Sequence, residues 1–559
     1  MTALKVVNLR LKFPGRPELQ FKDLSLTIEQ GEKVLLLGPS GCGKSTLLQV
    51  LTGLIPHSIE VPVRYDELVI PERWGFVFQD PDTQFCMPYV DEELAFVLEN
   101  LKIPHNQMHG IIDRYVQLVG LSLPDRHTAI QSLSQGMKQR LAIAGALALQ
   151  PDILLLDEPT ALLDPEGTEQ VWETIKQIGH DKTLVIVEHK IDHIIDLVDR
   201  IILFNAAGEI IADGPQDDIF KQYKDEIMRD GIWYPGVWDD YVNSVDYPRR
   251  LDEASQRQAN DHVSTDTDST LETRVTGSRP GITMADPSEL PRAGTPLLQL
   301  EQFQAIRGKR CITSMESSRL KAGEWITIVG PNGAGKSSLL LALMQLIKTQ
   351  GTYLIEGKPA ADYERLSDRL AYVFQNPEFQ FVTNRTWDEI AYTLQLDGED
   401  GETISAKVAE MLQQFDLAEH QDQHPYQLSM GQKRRLSVAS AVIKEQPILL
   451  LDEPTFGQDA RNTFAILEKL ETWRLSGSTI LMVTHDLRIV KHFATEVWHV
   501  QDGQVAIHEE PDDYLSMAEQ QRFAGRDGQE QAVDASTIGH DDATNSTMRT
   551  SSGKELVHR

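Results

Sequence analysis

Five short stretches of this chain return in the same order at a nearly constant offset. "GPSGCGKST", from Gly38, returns as "GPNGAGKSS" from Gly330, and "FVFQDPDTQF" returns as "YVFQNPEFQF". "SLSQGMKQRLAIAGAL" returns as "QLSMGQKRRLSVASAV", "PDILLLDEPT" as "QPILLLDEPT", and "TLVIVEHK" as "TILMVTHD". Lys44 and Lys336 are 292 positions apart, Gln79 and Gln375 are 296, Ser134 and Ser429 are 295, Asp157 and Asp452 are 295, and His189 and His485 are 296. A spacing this steady leaves no room for an extra element in either copy, so the chain is one domain written twice. Residues 1–228 form the first copy and 297–515 the second. Between them, 229–296 is rich in Asp, Ser, Thr, Arg and Pro and lacks periodicity. It reads as a flexible acidic linker, long enough (a root-mean-square span of roughly 40 Å) to let the halves face each other. Its leading "GIWYPGVWDDY" is loop-like, with Trp233 and Trp238 expected on the first domain's surface. The polar stretch 516–559 reads as a disordered tail.

Charge removes several functions. With 53 basic against 84 acidic residues, the net charge is −31. Such a chain gains nothing from bulk electrostatics at nucleic acid or at anionic lipid. Cys42, Cys86 and Cys311 have no metal-like spacing and suit a reducing compartment. "MTALKVVNLRLKF" has no signal-like apolar core, and no apolar run approaches the length of a membrane span. The expectation is a cytoplasmic chain without a span of its own.

The repeated motifs carry one chemistry. "VLLLG" is a buried strand that runs into a Gly-rich loop and then an apolar-periodic helix, "KSTLLQVLTGL". Such a loop curls its backbone N–H groups around phosphate oxygens. The cradle is Gly38, Pro39, Ser40, Gly41, Cys42, Gly43, Lys44, Ser45 and Thr46 in the first copy. In the second it is Gly330, Pro331, Asn332, Gly333, Ala334, Gly335, Lys336, Ser337 and Ser338. Lys44 and Lys336 neutralise phosphate charge, and Ser45 and Ser337 offer a hydroxyl to Mg²⁺. "ILLLDEP" ends a buried strand on two acids, where open α/β sheets bind ligands. Beside a phosphate loop, Asp157 and Asp452 suit the metal, and Glu158 and Glu453 suit the attacking water. His189 and His485 end the next strand and suit a γ-phosphate sensor, although a lone histidine there is commonly structural. Gln79 and Gln375 suit a neutral metal ligand that can let go, the alternative being an ordinary turn residue. These are α/β domains with two ATP sites and Mg²⁺ as cofactor.

"LSQGMKQ" and "LSMGQKR" resemble the LSGGQ signature of the ATP-binding cassette (ABC) family, and the order of motifs matches that family throughout. The resemblance implies two nucleotide-binding domains in tandem, each a RecA-like α/β core with a helical subdomain. It implies further that each signature caps the ATP of the other domain: Ser429 and Gly431 above Lys44, and Ser134 and Gly136 above Lys336. Asp164 and Asp459 would be the D-loop aspartates, and Phe13 the adenine-stacking ring; the second half offers Ile306 or Phe303 for that role with no clear match. Gln135 and Met430 depart from the signature's usual glycine, and "FGQD" departs from the usual D-loop, keeping Asp459.

"QDPDTQFCMPYVDEELAFVLENLKIP" resembles the energy-coupling factor (ECF) subclass through Val90, Glu93, Ala95, Phe96 and Asn100. The second copy is similar more loosely, through Asp388, Glu389, Ala391 and Tyr392. Membership would imply an ATPase at the cytoplasmic face of the membrane. It would energise import of a vitamin, in the hydroxymethylpyrimidine/thiamine group, or of a transition metal. Its partners would be a transmembrane coupling subunit and a small substrate-binding membrane protein, with no nucleic acid. Phe85, Met87, Tyr89, Phe379 and Phe381 are candidate contacts for a partner helix in at least one of the two segments, the alternative being core of each domain's helical subregion, where some of them belong. The rival is a soluble tandem ATPase of the ABC-F translation-factor type, whose linker would be a basic helical arm rather than this lysine-free one.

Overall fold

The computed structural model describes residues 2–15, 18–161, 163, 165–244 and 296–520. In the first half, β1 (Thr2–Leu11) pairs antiparallel with β2 (Phe21–Glu29). Between them and the next long strands lie β3 (Lys33–Leu37) and two short pieces that join β1, namely β4 (Val63–Arg64) and β5 (Glu67–Val69). Alternation buries Leu4, Val6, Leu9 and Leu11 of β1. The phase slips by one at Asn8, whose φ is 53°, and the register shifts there. That bulge keeps the later residues on the buried face. The second copy repeats the device at Gln302, φ 49°, between buried Leu300 and Phe303.

The second sheet carries the phosphate loop. It adds β6 (Trp74–Val77), β7 (Ile153–Asp157), β8 (Thr183–Val187), β9 (Arg200–Phe204) and β10 (Ile210–Gly214) in the order β10-β9-β3-β8-β7-β6. All its pairs are parallel except β9 with β10. Every residue of β7 and β8 is buried, which is why both read as unbroken apolar runs.

The second half builds β11 (Leu298–Arg307), β12 (Arg310–Leu320), β13 (Trp325–Val329), β14 (Lys348–Ile355), β15 (Lys358–Pro359) and β16 (Leu370–Val373). It continues with β17 (Ile448–Asp452), β18 (Thr479–Val483), β19 (Glu496–Gln501) and β20 (Gln504–His508). Here a parallel contact of Ser314 with Gln504 fuses the two sheets into one of ten strands. Each half also carries a group of helices, Val90–Asn100, His105–Leu118 and Gln135–Ala148 in the first and Thr386–Asp397, Gly401–Gln414 and Met430–Val442 in the second, the last of each group packing on its sheet's edge strand.

The span expected as linker begins folded. Helix Val237–Val242 and its approach bury Ile232, Trp233, Tyr234, Val237 and Trp238. Trp233 and Trp238, expected on the first domain's surface, pack on the second half. Tyr241 stacks on Phe464 with centroids 3.9 Å apart, Trp238 meets Phe464 edge-on at 5.0 Å, and Trp238 stacks on His492. Large aromatic surface leaves water wherever a facing apolar ring accepts it, and the acidic composition around the tryptophans hid that signal. The remainder of the linker expectation, 245–295, lies outside the described residues. Residues 511–520 are helical, so the expected tail boundary at 516 falls inside a helix. Tyr514 of that helix packs against His499 and His508; the tail from 521 is outside the described residues.

Candidate functional site

Both phosphate loops leave the C-terminal end of a central strand. Gly43 and Gly335 each have φ 108°. A Cβ on Gly43 would lie 2.8 Å from Gln20 Nε2 and 2.9 Å from the Phe21 ring, and one on Gly335 would lie 2.3 Å from Thr313 Oγ1. Glycine alone permits both the turn and the approach. Lys44 opens helix Lys44–Leu51, and its Nζ donates to Gly38 O at 2.8 Å and Pro39 O at 3.0 Å. Lys336 opens helix Lys336–Leu343 and donates to Gly330 O at 2.7 Å and Pro331 O at 3.0 Å. The helix N-termini and the two lysines make each loop an anion site.

The neighbouring strand brings the acids. Ser45 Oγ donates to Asp157 Oδ1 at 2.8 Å. Burial pushes the Asp157 carboxyl up to about 6; the Ser45 bond opposes this and the Glu158 charge adds to it. Asp452 is also pushed by burial to about 6, with the Ser337 bond opposing. Its Oδ1 is buried without a hydrogen-bond partner. A serine oxygen beside a half-satisfied buried carboxyl is the all-oxygen donor set that a hard cation such as Mg²⁺ takes.

Glu158 and Glu453 sit in the left-handed region, at φ 46° and 51°, uncommon for a non-glycine residue and typical of functional turns. His189 Nε2 lies 3.0 Å from Glu158 Oε1, and Gln79 Nε2 donates to Glu158 Oε2 at 2.8 Å. Burial alone would raise the Glu158 carboxyl, but the charge and hydrogen bond of His189 outweigh it and the value falls. Burial alone would lower His189, and Glu158 outweighs it in turn. The pair therefore favours its ionised form. In the second copy His485 Nε2 is 3.3 Å from Glu453 Oε1. There Gln375 is exposed, and no bond from it to Glu453 is present among the described residues. Its backbone is gripped instead: buried Arg434 donates to Phe374 O at 2.7 Å and to Gln375 O, where the first half has Gln139 donating to Phe78 O at 3.2 Å.

The signatures are helix caps. Ser134 caps helix Gln135–Ala148, accepting from Met137 N, and Ser429 caps Met430–Val442, accepting from Gln432 N. Gly136 lies beside Leu163 and Gly431 beside Gln458. Asp459 caps helix Ala460–Leu475 by accepting from Asn462 N at 2.8 Å. Asp164 lies outside the described residues.

Other expectations fare unevenly. Phe13 is partly buried against the first β-core. Phe303 is fully buried and meets Tyr353 edge-on, so it has no face for a base; Ile306 is half-buried. Phe381 is only 9 % exposed and belongs to the core, because its strand-to-helix turn points it inward. Phe379, two residues earlier, is 76 % exposed. Phe85, Met87 and Tyr89 are half-buried.

Sequence reasoning missed Glu188. It is buried, accepts from Thr160 Oγ1 at 2.7 Å and from His189 N at 2.9 Å, and burial pushes it up to about 7. Thr484 stands at the matching place, and this difference between "IVEH" and "MVTH" was the available signal.

Comparison with known proteins agrees with this geometry. The family model described as "ABC transporter" matches residues 21–161 and again 315–456. A Bacillus subtilis protein named "Putative HMP/thiamine import ATP-binding protein YkoD" is 34% identical over 526 residues, covering 91% of both chains. A Streptococcus pneumoniae protein named "Putative ABC transporter ATP-binding protein" is 35% identical over 538 residues, covering 92% of this chain and 91% of its own. One of the same name from Methanosarcina acetivorans is 32% identical over 550 residues, covering 93% and 88%. The chain is thus an ATPase and belongs to the ABC transporter ATP-binding family, with two of its domains in tandem.

Proposed function

We propose that this ATPase energises an ECF-type importer for a vitamin or vitamin precursor of the hydroxymethylpyrimidine/thiamine class. The relative from Bacillus subtilis carries that substrate in its name. The observation that carries the membrane coupling is an apolar surface beside the second glutamine loop. Phe379, Val382, Leu396, Tyr426 and Met430 are each at least half exposed, and Tyr392 lies one helical turn before Leu396. Tyr426 Oη reaches Glu378 O at 3.3 Å, which ties this surface to the loop that follows Gln375. Exposed apolar area of this kind marks a partner site. The occupant in this reading is a helix of a transmembrane coupling subunit; a small substrate-binding membrane subunit completes the complex. No helix among the described residues is long and apolar enough to cross a membrane, so the chain meets the membrane through these partners.

In the same reading, ATP drives the halves together. Lys44 and Lys336 hold the β- and γ-phosphates. Glu158 and Glu453 take the proton of the attacking water, with His189 and His485 holding the carboxylates and sensing the γ-phosphate. Ser45, Asp157 and Gln79 would hold Mg²⁺ in one site and Ser337, Asp452 and Gln375 in the other. When bound, that ion supplies neutralisation of developing phosphate charge. Ser429 and Gly431 cap the nucleotide on Lys44, and Ser134 and Gly136 the one on Lys336, so each helix dipole faces a phosphate of the other half.

Purification from membranes in a gentle detergent tests the assignment. Transmembrane subunits should co-purify and confer ATP-dependent vitamin uptake on vesicles. A chain that never associates with a membrane subunit would end the transport reading and favour a soluble tandem ATPase.

A further inference from the structure

One buried side chain is polar where a leucine would serve better. Gln458 is 3 % exposed, and neither its Oε1 nor its Nε2 has a hydrogen-bond partner among the described residues. A buried amide left unpaired is destabilising, because it loses its hydrogen bonds to water and gains none. The first copy has Leu163 at the matching place, 8 % exposed, filling the equivalent space against Gly136 without that cost. The Gln458 amide stands against the second signature: a Cβ built on Gly431 would lie 3.5 Å from its Oε1 and 3.7 Å from its Nε2. Gly431 is in the first turn of the thirteen-residue helix Met430–Val442, whose free N–H groups form an anion site.

Gln458 is also held from the other half, by the folded segment that extends it past residue 228. Its backbone carbonyl accepts the Trp233 indole N–H at 3.0 Å. Two residues on, Ala460 N donates to Gly231 O at 2.9 Å. Gly231 has φ 71°, and a Cβ there would come within 2.5 Å of Arg461 Cβ, so the first half's chain passes too close for any side chain. Arg488 reinforces the seam, lying over the Trp233 and Trp238 rings and pairing with Asp192 at 3.4 Å.

We infer that Gln458 is a lid residue of the nucleotide site built on the first phosphate loop, kept in position by Trp233 of the first half. The inference rests on the proposed capping of the Lys44 nucleotide by the second signature. Its ligand is a nucleotide phosphate, toward which the amide N–H is unspent. The first half thereby helps to shape the lid over its own ATP. The site on Lys336, with Leu163 behind its lid, has no such amide.

Photolabelling of the full chain with azido-ATP, read separately on the peptides containing Lys44 and Lys336, tests this. Gln458→Leu should raise the half-labelling concentration at the Lys44 peptide about five- to tenfold and leave the Lys336 peptide within twofold. Gln458→Glu, isosteric but negative, should raise it further. Trp233→Phe, which keeps the ring and removes the N–H, should act in the same direction by less. Gln458→Leu should unfold no earlier than the wild type, which separates a lid role from a structural one. Wild-type labelling in Gln458→Leu, or equal shifts at both peptides, overturns the inference. Gly431→Asp separates the two levels. If it weakens the Lys44 peptide while the Gln458 variants do nothing, the inference fails and cross-capping stands. If it weakens only the Lys336 peptide, cross-capping itself fails and takes the inference with it.

Discussion

The two halves share a backbone down to one bulge, yet they hold the same candidate catalytic groups differently. Glu158 is bonded by Gln79 and paired with His189, whereas Glu453, among the described residues, is paired with His485 at 3.3 Å and has no glutamine on it. The first glutamine loop is held by Gln139, the second by a buried arginine. The outer surfaces differ more. Where the second half exposes Phe379, Val382, Leu396, Tyr426 and Met430, the repeat places Thr83, Cys86, Asn100, Gln131 and Gln135 in the first. Duplication explains the shared fold, because one core solution satisfies both copies. It does not explain a one-sided apolar surface; in the proposed reading that surface meets a partner that treats the halves unequally.

The largest effect expected is on hydrolysis. A positioned general base is worth about 10²–10⁴-fold in rate. Glu158→Gln and Glu453→Gln should each cut turnover by on the order of 100-fold while leaving ATP binding intact, measured by phosphate release and equilibrium binding. A Glu453→Gln rate equal to wild type would make the second half a regulatory site and turn the structural difference into a functional one.

Next comes the surface. Phe379→Glu should reduce uptake more than tenfold with ATPase activity within twofold, since interfaces hinge on a few apolar anchors. Thr83→Glu, the matching change in the first half, should leave most transport. Equal losses would mean that the partner grips both halves alike. Phe381→Glu is no substitute test, because a charge at that buried ring would unfold the helical region.

The third comparison is of pH. Glu188 is raised by burial from an ordinary 4.5 to about 7, and the second half has Thr484 there. A carboxyl raised on folding binds its proton more tightly in the native state. Its contribution to stability is therefore complete below about 4.5 and is lost as pH rises through about 7. Glu188→Gln removes that loss. Denaturant unfolding should show the variant gaining on wild type between those limits, by up to about 3 kcal/mol above pH 8, and level with it near pH 4. A pH-independent difference would show that Glu188 is ionised in the fold.

How much of this was legible depends on how local the signal was. Phosphate loops, acid pairs and signature caps are contiguous stretches whose residue types dictate their geometry, and the doubled copy removed chance. The Trp233–Gln458 bond joins residues 225 apart, on a segment whose composition reads as linker. No periodicity announces such a contact. Phe379 and Phe381 differ by two positions and face opposite ways, so a turn that sequence leaves unspecified decided which is core. Glu188 was visible only as a mismatch between copies, where its burial could not be read.

The smallest effect lies in the signature caps themselves. In the second half the cap is reciprocal: Ser429 Oγ accepts from Gln432 N at 3.3 Å, and Gln432 Oε1 accepts from Ser429 N at 2.9 Å. In the first half Ser134 Oγ accepts from Met137 N at 3.3 Å, and a thioether, only a weak acceptor, is a poor group to return the bond. Gln432→Met should therefore cost about 1 kcal/mol, roughly 2–4 °C in Tm for a domain of this size. Met137→Gln should gain less, because Met137 also packs on the apolar core and that contact is surrendered. Opposite signs from mirror substitutions would show that the caps differ by this one bond. A stabilising Gln432→Met would instead mean that its second contact, Nε2 to His420 Nε2 at 2.8 Å, strains the second signature and that the first is the better-formed lid.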